Sequence, residues 1–176
     1  MARRADEVAA QDLPVRHAAS SLCLRLVQGG LIDDGKPLRV PVRRRRPLSK
    51  IASYHAHIHY RGQPERRHVE WLRLRIGERF RVRLGNWRDE PVGPHQQAMY
   101  QVSFANEIFA TLVPWLMLNH GGLSILIHPN TTNPKRDHLI DPIWIGRALP
   151  VKGDMLGEED EAEEALEVNT EPTLGA

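Results

Sequence analysis

The run Ser53-Tyr54-His55-Ala56-His57-Ile58-His59-Tyr60 alternates strictly for eight residues and constrains the fold more than any other stretch. A strand turns successive side chains to opposite faces. His55, His57 and His59 therefore share one face, and Tyr54, Ala56, Ile58 and Tyr60 share the other. An amphipathic strand of this kind needs neighbours on both edges and an apolar layer behind it.

Those neighbours can be read downstream. After a turn at Gly62 and Pro64, the stretch Pro64 to Phe80 spaces Val69, Leu72, Leu74, Ile76 and Phe80 among charges, a helical pattern. Phe80–Trp87 alternates again, with Phe80, Val82 and Leu84 opposed to Arg79, Arg81 and Arg83. The prolines and glycine of Arg88–His95 make a loop. Ala98–Phe104 puts Tyr100, Val102 and Phe104 on one face and Met99, Gln101 and Ser103 on the other. Asn106 can cap a helix running to about Asn119, with Pro114 inside it and Gly121-Gly122 stopping it. Leu123–His128 is an apolar strand, Pro129 to Asp141 a polar loop, and Ile143–Leu149 closes the domain.

The order β-α-β-β-α-β predicts an α+β fold of the ferredoxin-like, split βαβ kind, a four-stranded antiparallel sheet with two helices on one face. The first and third strands are then central neighbours, and the fourth flanks the first. The apolar faces pack on the helices. The histidines share the opposite side with Met99, Gln101 and Ser103.

The flanks differ from this middle. Residues 1–50 carry eleven Lys/Arg against five Asp/Glu, and residues 152–176 carry one against nine. We read 1–50 as a basic, flexible extension with a short helical stretch at Ala18–Gln28. Residues 51–151 are the domain, and 152–176 an acidic tail too poor in large apolar residues to order itself. Arg43-Arg44-Arg45-Arg46 reads as a solvated linker. It lacks the interleaved aromatics on which bases stack, so nucleic acid is not an expected partner. The single Cys23 excludes an internal disulfide framework and fits a reducing compartment. The longest apolar run, Ile108 to Leu118, is too short for a bilayer, and the N-terminus lacks a secretory signal's apolar core. A soluble, cytoplasmic protein without a membrane partner is expected.

Residues i and i+2 on one strand face stand roughly 6–7 Å apart, close enough for two imidazoles to converge on one ion. His95 leaves a rigid loop just before the third strand, and His128 ends the fourth. The topology thus gathers His55, His57, His95 and His128 near one end of the sheet. His59 lies farthest from that end and is expected at the surface, as is His68. His120 closes a helix, where an imidazolium suits the dipole. His138, in the loop after His128, is the best candidate for a proton-transfer group. With no thiolate nearby, imidazoles with open positions suit Fe(II), Zn(II) or Cu(II). The loop acids Asp89, Glu90, Asp137 and Asp141 lie off the strand positions, so an all-histidine set is the simpler arrangement.

At these residues the chain resembles the fungal-type DOPA 4,5-dioxygenase family and its bacterial relatives. The matching segments are Tyr54-His55-Ala56-His57, Pro91–His95, Ala98–Val102, Trp115–Asn119, Leu123–Thr131, Asp137-His138 and Trp144–Gly146. The resemblance implies a non-haem metal, extradiol cleavage of a catechol such as DOPA by dioxygen, and a homodimer. Its histidine matches are His55, His57, His95, His128 and His138. On that basis His57, His95 and His128 are expected to hold Fe(II), or Zn(II) in purified protein. His138 and His55 are expected to move protons, though which of His55 and His57 binds the metal stays open. The chain departs from the family at Gln96-Gln97, Thr132 and His120, beside the loops that shape a substrate pocket. The rival expectation is a non-catalytic small-molecule or metal-binding module on the same fold, since fold alone does not decide activity.

Overall fold

The computed structural model describes residues 32–33, 36–37, 45–159 and 166–175. Two compact units divide the chain, residues 1–44 and 45–176. In the first, Ile32–Asp33 and Lys36–Pro37 pair antiparallel. The helix expected at Ala18–Gln28, and Arg43 and Arg44, lie outside the described residues.

The second unit carries β1 (Ser53–Tyr60), α1 (Gly62–Arg79), β2 (Arg83–Leu84), β3 (Ala98–Phe104), α2 (Phe109–Asn119), β4 (Ser124–Asn130), α3 (Pro134–Leu139) and β5 (Ile143–Ile145). The sheet is antiparallel in the order β2-β3-β1-β4-β5. The expected split βαβ arrangement is present, with β1 and β3 central, but the strand count is five rather than four. The fifth, β5, is only three residues of the expected Ile143–Leu149. Gly146 ends it at φ +76, where an added Cβ would strike the Leu123 carbonyl oxygen, so the chain must turn away there.

Period-two patterning decides which face is apolar. Ala56, Ile58, Tyr100, Val102, Phe104, Ile125 and Ile127 are sealed against Val69, Leu72 and Ile76 of α1 and Leu112 and Leu116 of α2. Tyr54 extends this layer by stacking on Phe104 and Phe109. Burying each of these Val, Leu, Ile and Phe side chains contributes roughly 1.5–3 kcal/mol.

Several boundaries differ from the sequence expectation. Helix α1 begins at Gly62 rather than after a Gly62/Pro64 turn. Pro64 sits in its first turn, where a missing N–H costs nothing. Asn106 does not cap α2. Its amide donates to the Ile51 carbonyl, and a 3-10 turn over Asn106–Ile108 leads into the helix. Strand β4 runs past His128 to Asn130. Pro129 is tolerated because β5 pairs only with Ile125–Ile127, so no neighbour on that side needs its N–H.

The second strand also shortens, although its alternation is correct. Phe80 and Val82 are buried while Arg81 and Arg83 are exposed, yet only Arg83 and Leu84 join the ladder. The C-terminal segment takes the other edge. Thr170 Oγ1 accepts the Val82 N–H at 2.8 Å and donates to the Phe80 carbonyl at 2.7 Å. The Asn169 amide exchanges two bonds with the Leu84 backbone, at 2.7 and 3.1 Å. Composition points to disorder through residue 176, but Asn169, Thr170, Thr173 and Leu174 are tied here and to the Glu78 carbonyl by hydrogen bonds that composition does not report. Among the described residues, no helix is long and apolar enough to cross a membrane.

Candidate metal centre

The histidine face of β1 is not open. His55, His57, His95 and His128 are each 5% exposed or less. Register explains the first contacts, because His55 pairs with His128 across β1 and β4. His95 is brought in by its loop. Its N–H donates to the Val92 carbonyl, and the Lys152 N–H donates to the Pro94 carbonyl, tying the loop to the chain after β5.

His138 arrives on α3, a helix that replaces the middle of the expected polar loop. Asn133 caps it by accepting the Arg136 N–H at 2.8 Å, with Pro134 in its first turn. The buried carboxylate of Asp137 accepts the Thr131 N–H at 2.8 Å and the Thr131 hydroxyl. This pins α3 to the end of β4 and sets the His138 ring 3.9 Å from that of His128.

Two groups result. Nitrogen atoms of His55, His57 and His128 lie within 4.8 Å of one another, and so do those of His57, His95 and His138. His57 is common to both, so the five predicted site residues form two overlapping groups, and the expected ligands His95 and His128 are divided between them. Among the described residues these two groups are all histidine. The nearby acids are engaged elsewhere. Asp89 accepts from Tyr60, Asp137 from Thr131, and Asp141 from Arg136 and Arg46.

Burial favours the neutral form of His57, His59, His95, His128 and His138. Burial, followed by repulsion from His95, His128, His55 and His138, lowers His57 well below the ordinary histidine value. His128 moves the same way, again by burial first. His95 is pushed down to about 3 by burial and its neighbours, and burial brings His59 to about 4. His138 is also lowered by burial. Neutral rings keep a lone pair for a metal at neutral pH.

Hydrogen bonds direct those lone pairs. His128 Nδ1–H donates to the Pro129 carbonyl at 2.7 Å, and His138 Nδ1–H to the Pro134 carbonyl at 2.9 Å. A carbonyl can only accept, so both rings keep Nε2 unprotonated. His57 Nε2 stands 3.0 Å from His128 Nε2. Two nitrogens at a right angle and ~2.1 Å from one ion lie ~3.0 Å apart, so the spacing fits shared ligation. His57 Nδ1 is buried with no hydrogen-bond partner. The donor set, its neutrality and its spacing fit a metal ion.

His59 corrects the sequence reading. It is 2% exposed rather than at the surface, because β5 and the His95 loop cover it. Its ring stacks on Trp144 of β5 and contacts His95. The signal was present in the strand register, since His59 continues the face of His55 and His57. His68 is half-buried and packs against Trp71 and Gly121, and His120 Nδ1–H donates to the Met117 carbonyl at the end of α2.

Two cavities adjoin this region. One of about 460 Å³ lies on the histidine face, lined by Ser53, Arg83, Arg88, Met99, Gln101 and Ser103. Gln101 and Ser103 are the cross-strand neighbours of His57 and His55. The other, of about 310 Å³, is largely apolar and reaches His128 from the helix side, past Tyr54, Phe109 and Ile127.

The chain is similar to several known proteins. An uncharacterized 21.2 kDa protein of Botryotinia fuckeliana is 42% identical over 89 residues, 46% of this chain and 48% of that protein. A DOPA 4,5-dioxygenase of Amanita muscaria is 34% identical over 111 residues, 58% of this chain and 49% of that protein. The chain thus spans about half the length of these curated relatives. A crystal structure from Nostoc punctiforme, described as a candidate dioxygenase, superposes with a TM-score of 0.61 at 40% identity, covering 63% of this chain and 96% of that one. The Dopa 4,5-dioxygenase family model matches residues 54–155, a span that holds every histidine of the cluster, and the chain belongs to that family.

Proposed function

We propose that this protein is an oxygenase-type enzyme that cleaves the ring of a catechol, such as DOPA or a related aromatic, in the extradiol position. The observation that carries the reading is the convergence of His57, His95 and His128 with His55 and His138 within the family-matched span, with four of the five rings buried. The names of the Amanita and Nostoc relatives support oxygen chemistry.

In this reading His57, His95 and His128 hold Fe(II), with Zn(II) an alternative occupant of purified protein. When bound, the ion supplies Lewis acidity toward the catechol oxygens and the electron chemistry that dioxygen requires. His138, with its Nε2 lone pair free of the Pro134 bond, accepts a proton from a catechol hydroxyl. His55, at the edge of the His57 and His128 rings, is the second proton-transfer group. The polar cavity receives the substrate because Gln101 and Ser103 border the histidines on the same sheet face. Holding the catechol there beside the cluster supplies proximity. A homodimer belongs to the same reading and is checked by sedimentation.

The test is anaerobic Fe(II) reconstitution, followed by a catechol panel that includes DOPA and then air. Oxygen uptake with a coloured ring-opened product is expected. Stoichiometric metal with no uptake across the panel would overturn the enzyme reading and leave a metal-binding module.

A further inference from the structure

We infer that His59 is a positioning residue for His95, acting through a carbonyl–imidazole–imidazole relay that starts at Ser124. The inference deepens the proposed function, because it rests on His95 as a ligand.

The geometry runs in one direction. His59 Nδ1 lies 3.2 Å from the Ser124 carbonyl oxygen. A carbonyl only accepts, so His59 Nδ1 carries the proton. A neutral ring then has a lone pair at Nε2. That nitrogen lies 3.2 Å from His95 Nδ1. Two lone pairs facing each other at this distance would repel, so His95 Nδ1 must be the donor. His95 is left with an unprotonated Nε2, the state a metal ligand needs.

The rest of the cluster shows why a relay is used. His128 and His138 each donate Nδ1–H directly to a backbone carbonyl. His95 comes from a loop, and its Nδ1 meets His59 instead. His59 extends the reach of the Ser124 carbonyl by one imidazole. Trp144 of β5 stacks on His59 with ring centroids 5.8 Å apart and planes 29° apart, which fixes the intermediate ring. The fifth strand therefore has a task at the site. Partners of this kind fix the tautomer and orientation of a ligand, and losing one typically weakens metal binding ~10–100-fold.

The test begins with metal-free protein. Long-range proton–nitrogen correlation of ¹⁵N-labelled protein at neutral pH reads the tautomer of each histidine. The wild type should show His59 and His95 both protonated at Nδ1. In His59→Phe the Nε2–H form of His95 should appear, and Zn(II) affinity, measured by chelator competition, should fall ~10–100-fold. His59→Gln offers an amide N–H to Ser124 and a carbonyl oxygen to His95. It should restore the His95 tautomer and most of the Zn(II) affinity. A purely packing role for His59 would favour Phe over Gln. Finding His95 protonated at Nε2 in the wild type, or unchanged in His59→Phe, would overturn the relay, and the first of these needs no variant to fold. Absence of catechol turnover bears only on the proposed reaction, since the tautomer measurement uses neither metal nor substrate.

Discussion

His57 Nε2 and His128 Nε2, contributed by adjacent antiparallel strands, lie 3.0 Å apart in a buried pocket. One of the two must donate to the other in metal-free protein. Because His128 Nδ1–H is committed to the Pro129 carbonyl, the donor is His57. A metal bound at His57 Nε2 would therefore have to move that proton to Nδ1.

Removing either ring should abolish the site. His57→Ala and His128→Ala are expected to lose bound metal on dialysis, and oxygen uptake with a catechol should fall by at least ~100-fold, the upper end of what losing a mere supporting partner costs. Metal analysis beside the uptake assay checks this. Stoichiometric metal in both variants would contradict the ligand assignment.

Acid should destabilise metal-free protein. Folded His59 and His95 titrate at about 4 and about 3, and His57, His128 and His138 are also lowered, chiefly by burial. Unfolded histidines take up protons near ~6.5. Below that value the unfolded chain binds more protons than the folded one, so stability is complete above about 6.5 and falls as pH drops. The slope is up to ~1.4 kcal/mol per pH unit for each histidine that stays neutral in the fold. Urea midpoints at about pH 7 and about pH 5 measure it, and equal midpoints would show that these rings are not held neutral.

Asp137 ties α3 to β4 from a position 1% exposed. Asp137→Ala strands the Thr131 N–H and hydroxyl, at an expected cost of about 2–3 kcal/mol. It should also release His138 from the cluster. Urea denaturation reads the first effect, and broadening of the His138 ring resonances reads the second. An unchanged midpoint would refute the pinning role.

Thr170→Val removes the hydroxyl that accepts the Val82 N–H while keeping the side-chain shape. The orphaned N–H should cost about 1–3 kcal/mol, and the C-terminal segment should become sensitive to protease. Wild-type stability and protection would show that the segment does not hold the sheet edge.

Much of the fold is visible in patterning. The faces of β1 and β3 follow from period two, and α1 from the spacing of Val69, Leu72 and Ile76, because these signals are local. The edges are not visible. β5 is three residues long, and the second strand's partner on its outer side is Asn169 and Thr170, 85 to 90 residues away. His55, His57, His95 and His128 could be named from topology because strand register and the loop before β3 carry them together, and His138 from its place after β4 and the family resemblance. His59 was misplaced because its cover, Trp144 and the His95 loop, comes from distant segments.

The sequence alone determined that three histidines share a strand face, that this strand sits at the centre of a split βαβ sheet, and that His95 and His128 come near it. Alternation and element order suffice for that. Only the tertiary structure decided that the face is buried, that α3 delivers His138, and which nitrogen of each ring keeps its lone pair. Those outcomes depend on which carbonyl meets which imidazole. The contacts of His59 and His57 join residues 36, 65 and 71 positions apart, where no local period reaches.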